Sequence, residues 1–194
     1  MRVAGLLLCG GSATRFGSDK LLAGDPPLAV RAARRLLEGA GHALAVIPLG
    51  KPGLRAALEA AGCEILETDR TARGMGASLA AGVEAAARHD GGIVALGDMP
   101  KVDAKTVAAV RRALEAGALL AAPFDAAGRR GHPVGFSAAL RAELLALDGD
   151  QGARDVVERH ATRIERVVTA DAGIFFDVDT PADLKAIGPR PAPG

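Results

Sequence analysis

An apolar run, residues 3–9, stops abruptly at two adjacent glycines, Gly10 and Gly11. The stretch after them, Ser12-Ala13-Thr14-Arg15-Phe16-Gly17-Ser18-Asp19-Lys20, is polar and carries one arginine and one lysine. This junction reads as a strand that ends in an anion-binding loop. Adjacent glycines let the backbone come close to an anion, and peptide N–H groups can then point at its oxygens. Arg15 and Lys20 add fixed positive charge where a triphosphate would lie. Two commoner phosphate loops do not fit. Five residues separate Gly11 from Gly17, and Ser18-Asp19 intervene before Lys20, which breaks the Walker A spacing. Gly10-Gly11-Ser12-Ala13-Thr14-Arg15 also fails the G-x-G-x-x-G dinucleotide fingerprint.

Further along, short apolar runs alternate with alanine-rich helical stretches. Strands are expected at residues 3–9, 43–49, 63–67, 92–96, 119–123, 133–136 and 164–168. Helices are expected at 26–39, 53–61, 75–89, 103–116, 138–147, 153–160 and 181–187, with Asp103 capping the fourth. This alternation predicts an α/β fold, a mostly parallel central sheet with helices on both faces. Strands that are apolar throughout fit burial on both sides. No internal repeat or long linker divides the chain, so residues 1–188 are expected to form one domain, with a disordered Pro/Gly-rich tail at 189–194. The stretch 125–150 is expected to make a small lobe against the main sheet.

Composition excludes several classes. The chain has five Phe, no Trp and no Tyr, and a net charge of +1. A nucleic-acid platform wants a basic face or stacking rings, so no nucleic-acid partner is expected. No apolar run is long enough for a membrane span, and no secretory leader is recognisable, which leads to the expectation of a cytoplasmic protein without membrane contact. Cys9 and Cys63, each in an apolar run, are expected to be buried thiols rather than a disulfide.

Ligands of open α/β sheets bind beyond the carboxyl ends of the strands. The chemistry-bearing residues follow strands in that manner. In Leu96-Gly97-Asp98-Met99-Pro100 a carboxylate stands at a strand end between a glycine and a nearby proline. That suits Mg²⁺, which takes one or two carboxylates and completes its shell with substrate phosphates. Phe176-Asp177-Val178-Asp179-Thr180-Pro181 offers two more acids, which an extended segment is expected to point to opposite sides, leaving one to face a metal. Thr180-Pro181 is also an ordinary helix start. Gly74-Met75-Gly76-Ala77-Ser78 precedes a helix whose N–H groups can receive an anion or base edge, with Ser78 free to bond a ribose or base. Asp69 and Arg73 are weaker candidates nearby. Arg129 and Arg130 flank Gly131 and suit an anionic ligand, or simply a charged turn. His132 has no partner at metal-ligand spacing, which argues against zinc.

Taken together, these segments resemble the nucleotidyltransferases of the nucleotide-diphospho-sugar transferase fold. Among them they are most similar to the molybdenum cofactor nucleotidyltransferases, from Val3 to about Ile187. The resemblance implies a Rossmann-like sheet and Mg²⁺-dependent transfer of a nucleoside monophosphate from an NTP to molybdopterin, with release of pyrophosphate. It implies that Arg15, Lys20 and Asp98 are catalytic. Nucleotide contacts would come from Leu8, Cys9, Gly10, Gly11, Ser12, Arg15, Lys20, Gly74 and Ser78. Asp98, Asp179 and Asp177 would hold the metal, and Arg130, His132 and Asp150 would lie on the acceptor side. A molybdenum-dependent client enzyme is an expected partner.

The base is split between branches. Gly10-Gly11 and Gly17-Ser18-Asp19-Lys20 resemble the guanylyl branch. Gly74–Leu79, Gly131–Phe136 and Gly149–Arg154 resemble the cytidylyl branch, which favours CTP over GTP. A glycine at position 10, where the cytidylyl branch more usually has alanine, leaves room for a purine. Cys9, where alanine is usual, adds bulk at the strand end. Three other readings stand beside this one: transfer to a different phosphorylated acceptor, an NAD(P)H-dependent reductase carrying the same motifs, and a non-catalytic carrier of molybdenum cofactor.

Overall fold

A computed structural model describes residues 1–10 and 19–187. Its strands are β1 (Val3–Leu8), β2 (Ala43–Pro48), β3 (Glu64–Thr68), β4 (Gly91–Leu96), β5 (Leu120–Phe124), β6 (Val134–Ser137) and β7 (Ile164–Val168). Its helices are α1 (Leu28–Ala40), α2 (Pro52–Ala60), α3 (Met75–Ala85), α4 (Ala104–Glu115), α5 (Arg141–Leu145), α6 (Arg154–Arg159) and α7 (Pro181–Lys185). The strands form one sheet in the order β3-β2-β1-β4-β6-β5-β7. The pairs β3–β2, β2–β1, β1–β4 and β5–β7 are parallel, and β6 runs antiparallel to both β4 and β5.

Successive side chains of β1 feed two separate cores. Val3, Leu7 and Cys9 pack with α1, α2 and α4 on one face. Ala4, Leu6 and Leu8 pack with α3, α5 and α6 on the other. A strand whose two faces are both covered has no polar side, and this is why the run reads as continuous apolar sequence. Small residues bring the layers close. A Cβ added to Gly39 of α1 would sit 2.5 Å from Val107 Cβ of α4, so only glycine permits that approach.

Two expectations change. The stretch 125–150 is not a lobe, because β6 lies inside the main sheet between β4 and β5. Its Val134 and Phe136 are buried, and the core needs them at that place. The third helix stops at Ala85 rather than at residue 89. Ala87 and Arg88 are exposed, and the chain must turn back to start β4 at Gly91. The expected cap holds: the Asp103 carboxylate accepts from Lys105 N at 2.9 Å. Cys9 and Cys63 are both free and buried, as their apolar settings suggested. Among the described residues, no helix is long and apolar enough to cross a membrane.

Candidate active site

β1 and β4 end side by side, with Leu8 level with Leu96 and Gly97 N donating to Leu8 O at 3.0 Å. Asp98 therefore leaves the sheet beside Gly10. Val178 N donates to Asp98 O at 3.0 Å, which pins the C-terminal segment against the turn after β4. Lys20 opens a single 3₁₀ turn, Lys20–Leu22, and reaches across this gap. Its Nζ lies 3.0 Å from Asp98 Oδ2 and 3.0 Å from Asp179 Oδ1. The lysine side chain is only 12% exposed. Burial opposes its charge, but the hydrogen bonds to Asp98 and Asp179 outweigh that and raise its pKa above the usual lysine range.

Asp177 joins the same cluster. Partial burial pushes its carboxyl pKa up, and the neighbouring Asp179 and Asp98 carboxylates push it further. The expectation that Asp177 and Asp179 face opposite ways is corrected. Val178 between them is fully buried, and both acids lie on the outer side of it. Residues two apart on an extended chain share a face. Downstream, Thr180 and Asp183 form a capping box at the start of α7. Among the described residues, no three His, Cys, Asp or Glu side chains form a ready-made metal cage. Hard oxygens gathered around one cation still suit Mg²⁺, whose shell is completed largely by water and phosphate.

The segments around Gly74 and Gly149 interlock. Gly76 N donates to Gly149 O at 2.7 Å, and Arg73 pairs with Asp148 at 2.6 Å. Gly74 has φ +114°, and a Cβ there would stand 2.5 Å from Gly149 O. Asp150, expected on the acceptor side, abuts Gly74. Ser78 is buried, and its hydroxyl donates to Gly74 O at 2.8 Å, so its proton is committed to the turn rather than offered to a ligand. A Cβ at Gly10 would lie 3.1 Å from Ser78 Oγ and 3.2 Å from Thr71 Cβ. The space beside Gly10 is therefore taken up by Thr71 and Ser78 and is not left open.

Other expected residues fare differently. The side chains of Leu8 and Cys9 are buried, which leaves backbone as what they can present to a nucleotide. Cys9 Sγ packs toward Gly97, so its bulk points into the core. Burial pushes the Cys9 thiol pKa strongly upward, and the nearby Cys63 and Asp98 add to this. Cys63 is likewise raised, to about 11, by burial. Gly11, Ser12 and Arg15 lie outside the described residues. Arg130 is exposed, in a turn closed by the Arg129–Asp125 pair at 2.7 Å. His132 sits mostly inside, its backbone N–H donating to Ile174 O at 3.0 Å and its imidazole Nδ1 buried without a partner among the described residues. Burial, reinforced by Arg130, holds its pKa below the ordinary histidine value, against the pull of Asp98. Sequence reasoning missed Thr71, since an isolated threonine carries no local signal. Asp148 heads a segment that reads locally as a turn into a helix, and its pairing with Arg73 was not visible there.

A mostly parallel sheet with a lysine and several carboxylates beyond its strand ends defines an α/β protein with charged groups where open α/β sheets bind their ligands. Residues 5–164 match the family model described as the MobA-like NTP transferase domain, and the chain belongs to that family. It is thus a nucleotidyltransferase that uses a nucleoside triphosphate. Among solved structures, it is similar to Rv0371c from Mycobacterium tuberculosis H37Rv, with 24% identity, 96% of each chain covered and a TM-score of 0.83. That protein has also been crystallised with manganese (22% identity, 96% and 98% covered, TM-score 0.78). A homolog of Rv0371c from Mycobacterium sp. strain JC1 is 27% identical over 96% of this chain and 94% of that one, with a TM-score of 0.82. CMP:2-keto-3-deoxy-manno-octonic acid synthetase, solved with CTP, shares the fold at 14% identity, 96% and 97% coverage and a TM-score of 0.72. No curated protein matches the chain.

Proposed function

We propose that this nucleotidyltransferase joins a nucleoside monophosphate, from CTP in preference to GTP, to the terminal phosphate of a molybdopterin-type acceptor and releases pyrophosphate. The observation that carries the chemistry is the Lys20–Asp98–Asp179 cluster beyond the ends of β1 and β4. An acceptor phosphate oxygen forms the new bond to the α-phosphorus, and the bond from that phosphorus to the bridging oxygen of pyrophosphate breaks. The attacking oxygen arrives ionised, so the step needs no strong general base. The Cys9 thiol is buried and hard to ionise, which removes it as a nucleophile. Catalysis then rests on positioning and charge. Lys20, with Arg15, holds the triphosphate and stabilises the leaving pyrophosphate. Asp98 and Asp179 would hold Mg²⁺, with Asp177 beside them. When bound, Mg²⁺ supplies neutralisation of charge on the phosphate oxygens.

The preference for CTP rests on the greater number of cytidylyl-like segments, and Gly10 does not count against it. Thr71 and Ser78 crowd the position where a methyl would stand, so the glycine does not open a larger base pocket there. The argument for a purine from room at Gly10 weakens accordingly. The acceptor reading rests on the likeness of the segments around Gly131–Phe136 and Gly149–Arg154 to the cytidylyl branch, together with the MobA-like family. The test is pyrophosphate release with Mg²⁺ and molybdenum-loaded molybdopterin, offered CTP, GTP, ATP and UTP separately. Release with CTP, and a product heavier by one cytidylyl group, is the expected result. Release only with another phosphorylated acceptor would overturn the acceptor assignment and leave the reaction class standing.

A further inference from the structure

The same two carboxylates proposed to hold the divalent cation are already neutralised by an ammonium. Lys20 Nζ sits 3.0 Å from one oxygen of each, on a side chain that is mostly covered. An ammonium has three donors and no acceptor, and two of its donors are spent here. One donor is left, so the Lys20 ammonium is divided between these carboxylates and any triphosphate as long as this arrangement holds, although a triphosphate is its assigned ligand. Nor can a divalent cation and the ammonium share the same two oxygens, because like charges at that range repel.

We propose that Lys20 is a resident counter-ion that competes with the metal, and that its release to the triphosphate couples metal binding to nucleotide binding. The inference rests on the reading of Asp98 and Asp179 as metal ligands. Free metal must displace Lys20 while bringing no new anion to receive its charge. Metal arriving with a nucleotide brings phosphate oxygens that receive the displaced ammonium. The backbone around Lys20 is held while the side chain exchanges partners: Ala23 N donates to Lys20 O at 3.1 Å, and Leu22 N to Asp19 O at 3.0 Å. Among the described residues, Lys20 is thus the cation held against the Asp98 and Asp179 carboxyl groups. Linkage makes the effect reciprocal, so nucleotide must tighten metal binding by the factor with which metal tightens nucleotide binding.

The test is Mn²⁺ binding followed by the electron paramagnetic resonance signal of free Mn²⁺, with no acceptor present. Wild type, Lys20→Met, Lys20→Gln and Lys20→Met/Asp98→Asn are compared, with and without a non-hydrolysable CTP analogue, and folding is checked by circular dichroism. Without nucleotide, both single lysine variants should bind Mn²⁺ about tenfold more tightly than wild type, within the usual range of such couplings. The analogue should tighten Mn²⁺ binding to wild type far more than to either variant. Equal or weaker Mn²⁺ binding by both folded lysine variants would overturn the exchange. If the double variant bound Mn²⁺ as well as Lys20→Met, the assignment of Asp98 to the metal would fail instead.

Discussion

Both ends of the central sheet carry charge, but they balance it differently. At the end where the strands begin, cations and carboxylates are matched near one another. Asp90 accepts from Arg2 N at 2.7 Å, and Arg88 pairs with Glu64 at 3.1 Å. His42 lies 3.3 Å from the same glutamate. These groups are largely exposed, and exposed pairs of this kind contribute little. At the end where the strands finish, one mostly covered ammonium is shared by two carboxylates, with Asp177 close by. The first arrangement is a solvated rim. The second concentrates carboxylates that exceed the cation among the described residues, and it lies where open α/β sheets bind ligands.

Perturbing each end separately sharpens this contrast. Lys20→Met should lower kcat/KM by about 10²–10³-fold, the usual scale for losing a positioned charge on a reacting group, while the chain remains folded. A steady-state pyrophosphate assay checks this. Next in size is Gly74→Ala. Its φ of +114° and the approach of Gly149 O leave no room for a methyl. A cost of about 1–3 kcal/mol is expected from urea unfolding, as for other residues held in strained backbone. Activity should fall as well, because the two loops would separate. The smallest effect is at the opposite end. Burial, with help from His42, holds the His89 pKa below its ordinary value of 6.5. The unfolded chain therefore takes up a proton before the folded chain does. This contribution to stability is complete above pH 6.5 and is lost as pH falls through the folded value. His89→Asn should flatten the acid side of a thermal-stability profile without changing turnover at neutral pH.

Much of the fold was legible because its strands are covered on both faces. β1, β4 and β7 fall within a residue of where their apolar runs suggested. β6 was recognisable as a strand, but its place in the middle of the sheet was not, since that depends on pairing with β4 and β5. Asp98 stood out because a strand, a glycine and a proline frame it. The bridge from Lys20 to Asp98 and Asp179 spans 78 and 159 positions, and no local pattern carries such a pairing. The clasp of Gly76 on Gly149 is hidden for the same reason: each segment alone is an ordinary glycine turn. The orientation of Asp177 and Asp179 was open to reasoning, since Val178 had to go inward for Phe176-Asp177-Val178-Asp179 to close over the core.

The most direct measurement makes the same isosteric change at the two ends of the sheet. Asp98→Asn and Asp90→Asn are each assayed for Mg²⁺-dependent pyrophosphate release and for thermal unfolding. The account expects Asp98→Asn to lose at least about 10³-fold in turnover while remaining folded, and Asp90→Asn to keep wild-type turnover. Near-normal pyrophosphate release by folded Asp98→Asn would contradict the assignment of catalysis to the Lys20–Asp98–Asp179 cluster.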